Sequence, residues 1–577
     1  MINREIADIL NEAADILEFN GVEWKPRAYR RAARKIEDLS EDIRNIYRKS
    51  GKKGLEDIPG VGSGIANHII EYLETGRVEK FERLKEESPG GTGELVEIRG
   101  LGPKKVKKLV EELNIKTVSD LREAVEEHEI RELEGFGEKT EENILKSIIL
   151  FEKSHERMLL GKAMGLAEDV LFYMQENSEL EKIDYAGSLR RMKETIGDID
   201  MLVISSDPEN VMKTFVNMED ADRVESRGLT RSTVILRGGI HVDLRVVPAE
   251  SYGAAMQYFT GSKDHNIAMR DLAISKGYKL SEYGLFRKDS GKMVEGADEK
   301  SIYSRLGLQY IPPELRENRG EIAAAGKNEL PELLELGDIR GDLHIHTTFS
   351  EGSDSLEEMV KAAENMGYEY IAITDHSRSQ RIASGMQIDE LRQQWEEIDR
   401  VAGEYDIRIL KGAEVDILKD GSLDYPDDIL AELDIVVGSV HSGFKSPKEE
   451  MTERIVAALE HRYMDILGHP SGRLIGKRES YEADFDTVFE TAVNNGKILE
   501  INAHPERLDL NDRLILKAKE YGVKFSINTD SHSTSNLSFM KFGVGQARRG
   551  WLTKDDDINT YSYDRLRQLL EDIRKRK

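Results

Sequence analysis

Residues 183–204 read Ile-Asp-Tyr-Ala-Gly-Ser-Leu-Arg-Arg-Met-Lys-Glu-Thr-Ile-Gly-Asp-Ile-Asp-Met-Leu-Val-Ile. The apolar run Met201-Leu202-Val203-Ile204 marks a strand, and Asp198 and Asp200 lie just ahead of it. Side chains two apart on a strand project to one side, so both carboxylates face together. A second strand, His241-Val242-Asp243-Leu244-Arg245, sets Asp243 on one face with apolar neighbours on the other. Three convergent carboxylates form a site for Mg²⁺ or Mn²⁺ ions that take phosphate oxygens as their remaining ligands. Two such ions activate an attacking hydroxyl and stabilise the leaving oxygen. A lone Asp-x-Asp is more often a turn or a solvated face. With Gly187-Ser188 before it and a strand-borne Asp after it, nucleotidyl transfer is the better reading.

Upstream, the first 150 residues read as all-α. Apolar residues recur at three- and four-residue spacing from Ile6 to Phe19 and from Ala28 to Ile36. Three turns share one pattern: Ile58-Pro59-Gly60-Val61-Gly62, Ile98-Arg99-Gly100-Leu101-Gly102 and Leu133-Glu134-Gly135-Phe136-Gly137. Each opens a helix, where bare backbone N–H groups and the positive dipole end suit a phosphate. No strand precedes Gly60, which excludes a dinucleotide-binding fingerprint. Three copies favour helix-hairpin-helix modules that grip a nucleic-acid backbone without reading bases.

Composition pulls the other way. The net charge is −27, which on its own argues against a polyanionic partner. The acidity is uneven, however, because Arg99, Lys104, Lys105, Lys107 and Lys108 gather at the second turn. At 577 residues the chain holds about three to five domains. Cysteine is absent, which excludes disulfides, Cys-ligated zinc, iron–sulfur clusters and a thiol nucleophile. Any metal must sit on His, Asp, Glu or other oxygen donors. There is no 18-residue apolar run and no signal-type apolar core at Met1-Ile-Asn-Arg-Glu, so a soluble, cytoplasmic protein with no membrane partner is expected, as a monomer.

Downstream of about Asp338 the rhythm changes. Short apolar runs alternate with helical stretches at 342–345, 370–374, 409–415, 435–440, 465–467, 498–501 and 525–527. Seven such strands predict a parallel β/α barrel, whose chemistry belongs at the C-terminal strand ends. Those ends carry His344, His346, His376, Glu414, His441, His469, His504, Asp530 and His532, and eight of the 13 histidines lie beyond residue 340. His68, His128 and His461, on helical segments, read as structural.

The quoted pieces resemble a known family. Gly187-Ser-Leu-Arg-Arg191, Gly197-Asp-Ile-Asp200, Val242-Asp-Leu-Arg245 and Tyr258-Phe-Thr-Gly-Ser262 are similar to the signature of family X DNA polymerases. Leu306-Gly-Leu-Gln-Tyr-Ile-Pro-Pro-Glu-Leu-Arg316 resembles that family's thumb terminus. The resemblance implies that Asp198, Asp200 and Asp243 hold the catalytic metals, with Asp243 helping the primer 3′-hydroxyl. It places Ser188, Arg191 and the Gly197 backbone on the triphosphate. Tyr258, Phe259 and Gly261 would line the sugar, Asn266 the base and Arg270 the template. Gly187 and Arg245 join this nucleotide- and DNA-binding set. Gly60, Gly62, Gly100, Gly102, Lys104, Lys105, Gly135 and Gly137 would meet the DNA backbone.

The C-terminal half resembles the PHP (polymerase and histidinol phosphatase) domain of bacterial and archaeal family X enzymes. The resemblance implies a Zn²⁺ or Mn²⁺ cluster on His344, His346, Glu351, His376, Glu414, His441, His469, Asp530 and His532. Glu351 stands where the family often has Asp, and His504 lies outside the metal pattern, as an outer or substrate-facing residue. The implied fold is multidomain. A helix-hairpin-helix domain (1–90) and a helical fingers-like domain (91–150) precede an α+β nucleotidyltransferase palm (151–250), then a mixed thumb (251–320). A linker (321–338) leads to a distorted (β/α)7 PHP barrel (339–577).

The implied function is template-directed filling of short gaps in DNA repair, with dNTPs and gapped or primer–template DNA as substrates. A metal-dependent 3′–5′ exonuclease or 3′-end phosphoesterase accompanies it. The alternatives are a phosphoesterase on small phosphorylated compounds and a DNA-binding scaffold with an inactive palm. One departure is informative. Relatives with deoxyribose-phosphate lyase activity form a Schiff base through a lysine in the helix after the first Gly-x-Gly turn. His68 stands at that place here, and Gly64 replaces a residue that can be a 5′-phosphate-binding lysine.

Overall fold

The computed structural model describes residues 2–19, 25–37, 39, 43–75, 77–78, 80–81, 95, 98, 101–133, 135–155, 157–381 and 383–575. Helices Ile2–Phe19, Lys25–Glu37, Ile43–Glu56 and Ser63–Thr75 pack around Ile6, Leu10, Ile36, Ile65 and Phe81. A second helical set, Pro103–Leu113, Val118–Glu126 and Glu138–His155, encloses Leu101, Leu109, Leu121 and Ile144.

The three Gly-x-Gly turns share one set of backbone bonds. Val61 N–H donates to Ile58 at 3.0 Å, Leu101 to Ile98 at 2.9 Å and Phe136 to Leu133 at 3.0 Å. The second glycine then accepts the first helical bond each time: Ala66 to Gly62 at 2.9 Å, Val106 to Gly102 at 3.1 Å and Glu141 to Gly137 at 3.1 Å. The repeat read in the sequence is therefore a repeat of structure. Gly100 lies outside the described residues, as does the side chain of Lys104.

The palm sheet runs in the order Lys182–Tyr185, Asp198–Ile204, His241–Val246, Arg231–Leu236, Ala221–Arg227. Its apolar face buries Ile199, Met201, Val203, Val242 and Leu244 under helices Leu160–Asn177 and Pro208–Val216. The sequence reading finds the two strands that carry the carboxylates, and misses the edge strand Ala221–Arg227. That edge strand is exposed along nearly its whole length and carries no alternating apolar pattern.

The thumb has helices Tyr252–Thr260 and Lys263–Ser275, a three-stranded antiparallel sheet and helix Glu299–Arg305. Its centre holds a buried charge cluster. Arg316, fully buried, pairs with Glu299 at 2.5 Å, and Glu299 also takes Arg190 at 2.8 Å. Burial of such charges is sustained only by pairing of this kind. Residues 321–338, read as a linker, include helix Glu321–Lys327, whose Glu321 is buried against His265 at 2.7 Å.

The C-terminal strands are Gly341–Ile345, Tyr370–Ile373, Arg408–Asp416, Ile435–Ser439, Ile466–Leu467, Ile498–Asn502 and Lys524–Asn528. They are parallel and neighbour one another in chain order. A bridge between Ile345 and Ser531 nearly closes the barrel. Most connections are helices, as a parallel crossover requires. Helix Tyr563–Lys575 packs Leu566, Leu570 and Ile573 against Leu343, Tyr370, Ile466 and Ile498, a cluster that plugs the barrel interior. Helix Met540–Arg549 and the loop after strand Ile498–Asn502 face the palm, so that Phe542 and Leu508 sit inside the palm core. Among the described residues, no helix is long and apolar enough to cross a membrane.

Candidate active sites

The palm site follows from strand register. Asp198 lies beside His241, and Asp200 directly beside Asp243, on parallel neighbours. Alternation turns Ile199, Met201, Val242 and Leu244 into the core, so the three carboxylates share the opposite face. Asp243 Oδ1 accepts from Thr233 Oγ1 at 2.6 Å and pairs with Arg231 at 3.3 Å. Burial, then the charges of Asp198 and Asp243, push Asp200 up to about 7. A site that repels its own ionised form in this way is set up for cations.

The Gly187–Arg190 turn sits over this face. Ala186 N–H donates to the Asp200 carbonyl at 2.8 Å. Gly187 has φ +63°, and a Cβ there would stand 2.7 Å from Asp200 Oδ2, so only glycine fits. Among the described residues, the buried Ser188 hydroxyl and Arg245 Nε have no hydrogen-bond partner. The Arg245 guanidinium lies 4.5 Å over the Phe259 ring, and Tyr258 meets Phe259 edge-on at 5.1 Å. Gln257 and the Tyr258 carbonyl hold the Asn266 amide at 2.8 and 2.7 Å. Arg270 is exposed and reaches back to the Asn266 carbonyl at 3.2 Å. A Cβ on Gly197 would stand 3.0 Å from Arg157, and one on Gly261 would stand 3.1 Å from Arg191. His241 is engaged by Glu225 at 3.0 Å.

In the helical region, a Cβ on Gly62 or Gly102 would meet nothing within 4 Å among the described residues. Packing against those residues does not demand glycine there. Gly60 and Gly135 hold positive φ in the first and third turns. Lys105 Nζ lies 5.6 Å over the Phe136 ring, joining the second turn to the third. His68 packs 4.9 Å from Phe81 and 6.3 Å from Tyr29, and burial lowers its pKa. His128 and His461 stand just past helix ends rather than on helices, and pair with Glu141 and Asp427.

The barrel gathers its ligand-type side chains at one end. Three sets place their ligand atoms within 4.8 Å of one another: His346, His376 and His532; His344, His346 and Asp530; His376, Glu414 and His441. His346 and His376 each serve two sets, which links all three. Glu414 also takes His469 at 2.9 Å. Glu351 lies 3.4 Å from His376 and 3.3 Å from His532. Glu351 and His469 fall outside the three sets but border them. His469 and Asp530 hold left-handed backbone, with φ +27° and +54°, which is uncommon outside glycine and concentrates at functional sites.

Residues that the sequence reading passes over orient these ligands. Glu500 meets His344 Nδ1 at 2.7 Å, and Asp416 meets His441 Nδ1 at 2.5 Å. Asp530 takes Asn502 at 3.0 Å and Arg507 at 3.3 Å. Burial opposes charge on His344, but Glu500, Glu414 and Asp530 outweigh it and raise its pKa. Burial and the neighbouring His532 and His376 push His346 down to about 3, the neutral form that a metal requires. His504 donates its N–H to Asn502 at 3.0 Å and its ring packs 5.2 Å from Phe539.

A helical-hairpin region, a carboxylate palm, a thumb and a histidine-lined barrel on one chain define a DNA polymerase joined to a metal-dependent phosphoesterase domain. Family models agree piece by piece. A helix-hairpin-helix domain matches residues 1–78, a SAM-like helix-hairpin-helix tandem 92–148, the DNA polymerase beta thumb 255–317 and the PHP domain 342–504. The DNA polymerase/3′-5′ exonuclease PolX of Bacillus subtilis (strain 168) is 39% identical over 566 residues, 97% of this chain and 98% of that one. Probable phosphatases match a part only. One from Thermoanaerobacter sp. (strain X514) is 31% identical over 38% of this chain and 89% of its own length. One from Acetivibrio thermocellus is 31% identical over 40% of this chain and 86% of its own length. The chain belongs to the PolX family, the family X DNA polymerases that carry a C-terminal PHP domain.

Proposed function

We propose that the palm adds deoxynucleotides to a primer 3′-hydroxyl in short DNA gaps, while the barrel hydrolyses phosphodiesters at 3′ ends. The observation that carries the polymerase reading is the Asp200–Asp243 pair beneath the unpartnered Ser188 hydroxyl. The carboxylates fit divalent cations, because burial and then their mutual repulsion already raise Asp200. Asp198, Asp200 and Asp243 would hold Mg²⁺ or Mn²⁺, which supplies charge stabilisation to a reacting phosphoryl group.

The remaining work falls to this chain's own groups. Ser188 Oγ and the Arg191 guanidinium donate to the triphosphate, and the Tyr258–Phe259 step bounds the sugar. The helical hairpins hold the DNA backbone by N–H groups and lysines, without base readout. The primer 3′-oxygen attacks the α-phosphorus, loses its proton towards the Asp243 side, and pyrophosphate leaves.

In the barrel, His346 Nδ1 and His469 Nδ1 are buried without a hydrogen-bond partner among the described residues, and His344 Nε2, His346 Nε2 and His376 Nδ1 stand 2.8–3.7 Å from the Glu414 and Asp530 carboxylates. So many convergent nitrogen and oxygen donors fit a metal cluster, Zn²⁺ or Mn²⁺ by donor type. Glu500 and Asp416 fix the tautomers of His344 and His441, so that each Nε2 points at the cluster. The probable phosphatases among the barrel's relatives favour a second substrate, the 3′-phosphate monoester. A labelled primer on a gapped template tests both halves: it should lengthen with dNTPs and shorten without them. A 3′-phosphorylated primer separates monoester from diester hydrolysis.

A further inference from the structure

We propose that Arg549, on the barrel helix Met540–Arg549, positions Arg191 for the incoming triphosphate by way of Glu317, so that the barrel is a working part of the polymerase's nucleotide site. The proposal rests on Arg191 meeting the triphosphate.

The contacts are short and buried. Arg191 Nε donates to Glu317 Oε1 at 3.0 Å, and its Nη1 donates to the Thr260 carbonyl. Two edges of the guanidinium are thereby committed to protein. Nη2 makes no hydrogen bond to the described residues and is the edge left for a ligand. Glu317 is itself held from the barrel side, by Arg549 Nη1 at 3.0 Å. The same Nη1 donates to the Arg191 carbonyl at 2.7 Å, so one guanidinium fixes both the main chain of Arg191 and the carboxylate that aims its side chain.

Arg549 cannot drift. Its side chain is 1% exposed, and its Nη2 is anchored on Asp512 at 2.5 Å, a carboxylate that also takes Arg319 at 3.1 Å. The rest of the helix supports the same turn. Gln546 donates to the Met192 carbonyl at 2.9 Å, and a Cβ on Gly545 would stand 2.8 Å from the Met192 side chain. These contacts fall three and four residues after Ser188, on the turn that bears its unpartnered hydroxyl.

Charge balance points the same way. Arg191, Arg549 and Arg319 pair with Glu317 and Asp512, so these ion pairs carry one more guanidinium than carboxylate, and Lys193 adds positive charge beside them. A planar fork held in place, with a free edge and surplus positive charge, suits a polyphosphate. None of these residues belongs to the barrel's own ligand sets.

Single-nucleotide gap filling tests the proposal, with dNTP-free 3′-end hydrolysis read on the same full-length preparations. Arg549→Met should raise the KM for dNTP about 10-fold or more, because misplacing a positioning group is costly even from a distance. Its kcat should stay within about threefold, the pattern of lost substrate binding. Hydrolysis should be unchanged, Arg549→Lys should recover part of the KM, and Arg549→Met should add nothing in an Arg191→Ala background. An unchanged KM in Arg549→Met beside a raised KM in Arg191→Ala overturns the barrel's role. An unchanged KM in Arg191→Ala overturns the triphosphate reading beneath it. If Arg549→Met loses hydrolysis as well, Glu317→Ala decides. A KM rise that vanishes in the Arg191→Ala background supports the relay, and no rise, or an additive one, overturns it.

Discussion

Glu500 and His344, 156 residues apart in sequence, meet at 2.7 Å inside the barrel, both fully buried. The contact is made on Nδ1, so Nε2 is left facing Glu414 and Asp530. Asp416 does the same for His441. Two carboxylates outside the three candidate ligand sets therefore decide which nitrogen each histidine would offer a metal.

Glu500→Ala and Asp416→Ala should each lower metal content or 3′-end hydrolysis by about 10- to 100-fold, the usual cost of losing an orienting partner. Gap filling with dNTPs should be unaffected. Metal analysis beside hydrolysis rates checks this, and wild-type values for both variants would remove these carboxylates from the site.

The barrel's histidines should also be separable from polymerisation. His344→Ala should lose transition metal and end degradation while retaining primer extension, because its partners all lie within the barrel. Dialysis against a chelator followed by Mn²⁺ or Zn²⁺ should remove and restore hydrolysis in the wild type. An intact barrel that takes up neither metal under any loading condition would sink the cluster.

Much of this was open to sequence reasoning, for a physical reason. Each barrel ligand from His344 to His532, apart from Glu351, lies on a short apolar strand or within four residues of its end, and position relative to a strand is readable locally. Asp198 and Asp200 declare themselves by the two-residue period. Glu500 and Asp416 escape because the histidines they orient come from other strands of the barrel or the loops after them. Nothing in Ile498–Asn502 shows that its central carboxylate faces His344 rather than water. The docking of helix Met540–Arg549 on the palm is hidden for the same reason. Its pattern shows an apolar face but not what that face meets, and Phe542 entering the palm core is visible only in the fold. The exposed edge strand Ala221–Arg227 leaves no periodic trace at all.

His68 gives a prediction about what this chain lacks. An imidazole cannot form the iminium that a primary amine forms with an aldehyde, and this ring is packed against Tyr29 and Phe81. Borohydride trapping on a 5′-deoxyribose-phosphate substrate should give weak or no adduct within residues 1–90. His68→Lys should raise the adduct, whereas a strong wild-type adduct mapping to that region would contradict the reading.

Two independent phosphoryl-transfer centres on one chain should fail independently. The decisive measurement follows a 5′-labelled primer on a gapped template, with and without dNTPs, for Asp243→Ala and His441→Ala side by side. Asp243→Ala should stop extension yet still shorten the primer, and His441→Ala should extend it yet no longer shorten it. Extension by Asp243→Ala at near wild-type rate, or loss of both activities in both variants while they remain folded and DNA-bound, would contradict two separate centres.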